Sequence, residues 1–157
     1  PTDPTETLNI WLVGGIRNGR NSPDEYEGYA QFPGGDPQTD GVVISFPFFG
    51  RTGIHQLGRE VTHNVAHWMN IHDIWGLKVR TCGDDFVADT PQPNTCNTFC
   101  PTFPEYSTCP GSPIEMTMNY MDFTSDHCKF MFTEGQKARA RAVFAPGGPR
   151  ASFAVPD

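Results

Sequence analysis

No apolar run in the sequence approaches the roughly 18 residues of a membrane-spanning helix, which argues against an α-helical membrane protein. Basic residues are scarce: 11 Lys and Arg stand against 18 Asp and Glu, for a formal charge of -7. That balance argues against nucleic acid or an anionic membrane surface as a partner. There is no internal repeat and no linker-like change of composition, so the 157 residues are expected to form a single domain, 1–157. Hydrophobic residues make up only 37%, enough for a modest core, and 16 glycines with 15 prolines favour turns and long loops over a helical bundle. Neither an initiator methionine nor a signal-peptide pattern opens the chain at Pro1, and a processed or trimmed product is the expectation.

All five cysteines, Cys82, Cys96, Cys100, Cys109 and Cys128, lie in the second half, among Pro, Thr, Asn and Gly. Little apolar material is available there to hold loops down. Two disulfides and one leftover thiol account for the set and imply an oxidising, extracellular compartment. The alternative is a cysteine zinc site, but the Cys96 and Cys100 pair lacks the second half of a zinc ribbon. Spacing alone leaves the pairing open.

TLNIWLVGGI (7–16) has the alternation of a strand, with Leu8, Ile10 and Leu12 on one face and Asn9 and Trp11 on the other. RNGRNSPDEYEG (17–28) is turn chemistry, and GYAQFP (28–33) is a short extended piece whose following prolines and glycines suit a sheet edge. GVVISF (41–46) is β-branched and apolar, as a strand covered on both faces should be. One long helix is predicted over about 58–70, where Val61, Val65 and Met69 form a stripe against the sheet. The run 78–113 is irregular. A second helix is predicted over about 133–144: TEGQ at Thr133 fits a Thr-x-x-Gln capping box, and Pro146-Gly147-Gly148-Pro149 stops it.

The first helix carries the candidate chemistry. Residues four apart project from one helix face, so His63 and His67 can aim imidazole nitrogens at one ion about 2 Å away. Such a pair is a weak signal alone, and its surroundings strengthen it. Asn70 stands three residues after His67, at a turn where Asn tolerates the left-handed conformation. A third ligand then falls on Asp73, whose carboxylate is an acceptable zinc donor, or on its neighbour His72.

The stretches LNIWLV, GYAQFPGG, TDGVVI, GR-x-x-TH-x-x-x-HW-x-N, CGDDFVADTPQ, NYMDFTSDHC and MFTEGQKAR resemble, in this order, the pappalysin family of metzincin zinc endopeptidases, and they cover residues 8 to about 150. The resemblance implies an α+β zincin fold: a small mixed sheet backed by an active-site helix (about 58–70), then a disulfide-stapled irregular C-terminal half with a helix at about 133–144. It implies Zn2+ as cofactor, secretion, and an extended peptide or protein substrate that adds to the GYAQFP edge by backbone pairing. NYMDF would be the Met-turn, with Met121 an apolar floor beneath the metal. The family's bridges correspond to Cys82–Cys109 and Cys100–Cys128, leaving Cys96 odd. Members also bind calcium near the cleft, and CGDDFVADT offers Asp84, Asp85, Asp89 and Thr90 as oxygen donors; the alternative is a solvated acidic loop. The strand and backing helix that precede LNIW in the family have no counterpart in this sequence.

Three departures fall on the chemistry. The position of the family's general-base glutamate is Asn64, and a carboxamide hydrogen-bonds water without taking its proton. The third ligand is Asp73 in place of histidine, and an anionic ligand weakens the metal as a Lewis acid. The Met-turn tyrosine is Phe123, which has no hydroxyl to stabilise an oxyanion. Glu60 shares the histidines' face one turn nearer the helix start and is the candidate substitute base; the alternative is a helix-start acid favoured by the dipole. The expected function is a secreted zinc metalloendopeptidase of reduced activity, the alternative a catalytically inactive zinc-binding module for peptides or proteins.

Overall fold

Val42–Ser45 forms the central strand of a three-stranded mixed sheet, because its β-branched residues find apolar cover. We label the strands in chain order: β1 Ile10–Val13, β2 Ile16–Arg17, β3 Glu25–Tyr26, β4 Gly28–Ala30 and β5 Val42–Ser45. The sheet order is β1-β5-β4, with β1 parallel to β5 (Ile10 opposite Val42) and β4 antiparallel to it (Tyr29 opposite Val43). The computed structural model describes residues 2–17, 25–50 and 55–154. They fall into two compact units, Pro1–Asn70 with Ala140–Asp157, and Ile71–Arg139.

In the first unit the core gathers on one face of the sheet. Val42, Ile44 and Trp68 are buried together, and Val61, Val65 and Met69 pack against them from the helix α1, Arg59–Trp68. The predicted stripe therefore faces the sheet, and the helix starts one residue later and ends two residues earlier than 58–70. Arg150 closes the far side. Its guanidinium grips the carboxylate of Asp40 with two nitrogens, donates to the carbonyls of Trp68 and Gln31, and lies 4.1 Å from the Trp68 ring centre. On the opposite face of the sheet the cross-strand row Trp11, Val43 and Tyr29 lines an open trough of about 480 Å³.

Two expectations change. The strand predicted over 7–16 is two strands, β1 and β2, broken at Gly14 and Gly15; Ile10 and Leu12 are 41% and 46% exposed while Trp11 is half-buried. An edge strand paired on one side only leaves its apolar residues less covered than alternation suggests. Within the predicted turn 17–28, β3 pairs with β2 (Ile16 opposite Tyr26), and residues 18–24 lie outside the described residues.

The second unit has little regular structure, as its composition suggested. Bridges Cys82–Cys109 and Cys100–Cys128, with Cα separations of 5.7 and 5.8 Å, staple it, and Cys96 is free. The second helix, α2, covers Glu134–Ala142, inside the predicted 133–144. Its start is the predicted capping box: Gln136 N–H donates to Thr133 Oγ1 at 3.1 Å, and Thr133 N–H donates to Gln136 Oε1 at 3.0 Å.

Candidate metal centre

Helix α1 turns four polar side chains inward: Glu60, His63, Asn64 and, half-buried, His67. The His63 and His67 rings stand edge to face with centres 4.5 Å apart, and one nitrogen of each lies within 4.8 Å of the other. Two imidazoles so disposed fit a shared ion at about 2 Å from each donor. Phe32, 5.2 Å from the His67 ring centre, supports that ring from the side. Asn70 ends the helix in the expected left-handed conformation, φ 68°, and its N–H donates to the His67 carbonyl at 2.8 Å. The chain bends there, just beyond the second histidine.

Asn64 and Glu60 are engaged with each other. Asn64 Nδ2 donates to the Glu60 backbone carbonyl at 3.0 Å and to Glu60 Oε1 at 2.7 Å. Both are buried, at 2% and 7% exposure. A nearly dry carboxylate needs hydrogen-bond donors, and the carboxamide one turn along supplies one. The NH2 group is thereby committed to Glu60, which leaves Oδ1 as the side chain's remaining acceptor. Gly28 on β4 makes this arrangement possible. A Cβ there would lie 2.7 Å from Ile44 Cδ1 and 2.8 Å from Asn64 Nδ2.

In the second unit, Asp73 is half-buried with Oδ1 shut away from solvent. The His72 ring packs edge-on against Phe86, 5.5 Å between centres, and the Arg139 guanidinium sits over the same Phe86. Burial first, then the Arg139 charge, hold His72 below the ordinary histidine pKa, with Asp73 opposing. Met121 is fully buried; its carbonyl accepts from Ile74 N–H at 3.4 Å and its N–H donates to Asn119 Oδ1 at 2.9 Å, so the NYMDF stretch is tied to the 71–76 segment. Phe123 is 47% exposed and packs edge-on against Trp75.

The acidic loop uses its oxygens locally. Asp84 Oδ1 accepts from Phe86 N–H and Asp85 Oδ1 from Val87 N–H; the Thr90 hydroxyl lies against both Asp85 oxygens, and Asp89 Oδ2 accepts from Gly135 N–H. Burial raises the Asp85 pKa to about 6. Sequence reasoning missed a buried carboxyl network. Asp122, also raised to about 6 by burial, accepts from Asn97 N–H and Nδ2, and Asn97 Nδ2 also donates to Glu115 Oε2 at 2.6 Å. Asp122 lies inside the NYMDF motif, but nothing in the sequence points to Asn97 or Glu115.

A small mixed sheet backed by a helix that presents two histidines one turn apart is the framework of a metzincin metallopeptidase. Residues 3–145 match the peptidase family described as Pregnancy-associated plasma protein-A, and the chain belongs to that family. It is 40% identical to mature mirolysin of Tannerella forsythia, solved in complex with a cleaved peptide, with a TM-score of 0.84 over 96% of this chain and 57% of that one. An extracellular metalloprotease of Verticillium alfalfae is 33% identical over 149 residues, 88% of this chain and 50% of the relative. One of Arthroderma otae is 29% identical over 140 residues, 85% and 49%. The chain thus spans about half the length of the curated relatives it matches.

Proposed function

We propose that the chain belongs to a secreted zinc metalloendopeptidase, with His63, His67 and Asp73 as metal ligands, and that its turnover is reduced. The observation that carries the reading is the convergence of the His63 and His67 rings beside an Asn64 whose amide is held by Glu60. Asp73 follows His67 by six residues, across the bend at the left-handed Asn70, and the chain between them is short enough to return a carboxylate to the pair. The His72 ring is occupied with Phe86, which favours Asp73 over His72 as the third donor. A zinc ion there supplies Lewis-acid polarisation of a peptide carbonyl and acidifies a water.

The remaining work falls on the chain's own residues. Glu27 and Gln31 bond inward to Ser45 and Gly41, so antiparallel alternation leaves the backbone groups of Gly28 and Ala30 on the outer edge of β4. An extended peptide can pair there. Asn64 Oδ1 can accept a hydrogen bond from water and orient it, but has no capacity to hold its proton. Losing a general base costs about 10²- to 10⁴-fold in rate. Phe123 brings a ring where a hydroxyl would steady developing charge. Calcium stays a second proposed metal for the acidic loop: Asp84, Asp85 and Asp89 each accept one N–H, of Phe86, Val87 and Gly135, and keep further carboxylate lone pairs for a cation.

The Asn64–Glu60 pair favours a second reading, a binding module that retains peptide and metal affinity without hydrolysis. Elemental analysis of the purified protein is expected to give one zinc per chain, lost in His63→Ala and His67→Ala. Proteolysis of an unstructured protein, with and without chelator, separates the readings. Slow chelator-sensitive cleavage supports the first and none supports the second. Absence of stoichiometric zinc overturns both, and turnover at ordinary protease rates overturns the role given to Asn64.

A further inference from the structure

We infer that Glu60 is a positioning residue that acts through Asn64, fixing which way round the carboxamide sits and barring a second carboxylate from position 64. The inference rests on the reading of α1 as the helix of the reaction centre. Its basis is that Glu60 presents two acceptors to one amide, the backbone carbonyl at 3.0 Å and Oε1 at 2.7 Å. An NH2 group has two hydrogens and both acceptors require them, so the amide cannot turn over without setting oxygen against oxygen. Gly28 lies beside the group, close enough that an added Cβ would come within 2.8 Å of Nδ2. Oδ1 is therefore the atom turned away from the Glu60 acceptors, an acceptor with no proton to give.

The same geometry predicts what a glutamate at position 64 would meet. Its carboxylate, one methylene further from the backbone than the present carboxamide, would share with Glu60 a nearly dry space in which the two side chains are now 2.7 Å apart. Like charges so placed oppose one another strongly. The carboxamide at position 64 and the carboxylate at position 60 are thus complementary: either order of acid and amide satisfies the pair, and two acids do not. Asn64→Glu alone should fail to produce a well-formed general base. Asn64→Glu combined with Glu60→Gln should succeed, because the amide is then at position 60 and donates to the carboxylate at position 64, the present hydrogen bond reversed.

A thermal double-mutant cycle on the full chain tests this, read on chelator-treated protein so that it does not depend on zinc, whose content is measured separately. Asn64→Glu is expected to lower Tm by about 5 °C or more, since a 157-residue chain loses about 2–4 °C per kcal/mol. Glu60→Gln is expected to change Tm little, and the double variant to recover most of the loss. Shifts that simply add overturn the proposal. Should Asn64→Glu fail to fold, Glu60→Ala supplies a second reading by NMR. The Asn64 side-chain amide protons should exchange with solvent at least about 10-fold faster than in the unmodified chain, and unchanged exchange overturns the proposal. A protein that binds no zinc yet shows the coupling would sink the proposed function and leave this pair standing.

Discussion

Gln136 closes the cap of α2 and, with the same amide, exchanges two hydrogen bonds with Asn119, at 2.8 and 3.1 Å. Asn119 Oδ1 in turn accepts the N–H of Met121, so one side chain joins a helix start to the NYMDF stretch. Both amides are fully buried. Gln136→Ala removes the half of the cap that its Oε1 supplies to Thr133 N–H, worth about 1 kcal/mol, and strands the Asn119 amide at a further cost of about 1–3 kcal/mol. A loss of about 2–4 kcal/mol is expected in urea unfolding. A loss within about 0.5 kcal/mol, the level of an ordinary surface substitution, would show that the two amides are not coupled.

Gly28→Ala tests the fit between β4 and α1. The added carbon meets Ile44, Asn64 and the Val43 carbonyl at 2.7, 2.8 and 3.0 Å, and the last is backbone that cannot swing aside. Overpacking of this kind typically costs about 1–3 kcal/mol. The urea midpoint should fall by the corresponding amount, and an unchanged midpoint would mean that the strand and helix part more easily than their packing suggests.

Asp122 gives stability a pH dependence of known sign. Burial raises its carboxyl from 3.8 to about 6, against the opposing hydrogen bonds from Asn97 and Phe123. A group that binds its proton more tightly when folded contributes most below the unfolded value, and loses that contribution as pH rises through the folded one. The unmodified chain, freed of metal, should therefore lose Tm relative to Asp122→Asn between about pH 4 and pH 7. Asp85, also raised to about 6, acts in the same direction in both proteins and cancels from the difference. A difference that grows in favour of the unmodified chain with rising pH would contradict the burial.

Local patterns were legible in the sequence. The capping box at Thr133 and Gln136 closes within one helical turn, and the stripe of Val61, Val65 and Met69 needs only helical periodicity and a sheet to face. What the sequence could not show are pairings set by distant partners. Asn97 meets Glu115 and Asp122 across 18 and 25 residues, and no periodicity announces them. Ile10 and Leu12 have the right alternation, but exposure follows from which side of β5 the strand takes. Glu60 lies in between. Its spacing from Asn64 is plain, yet a helix-start acid can face solvent, dipole or neighbour, and here it accepts from the Asn64 amide.

The Arg150 clasp has a consequence for biosynthesis. Asp40, Gln31 and Trp68 all await a guanidinium that follows them by 110, 119 and 82 residues. On a ribosome, the histidine-bearing helix and its sheet emerge long before the residue that locks them. The nascent chain carries an unclosed first half until translation reaches residue 150.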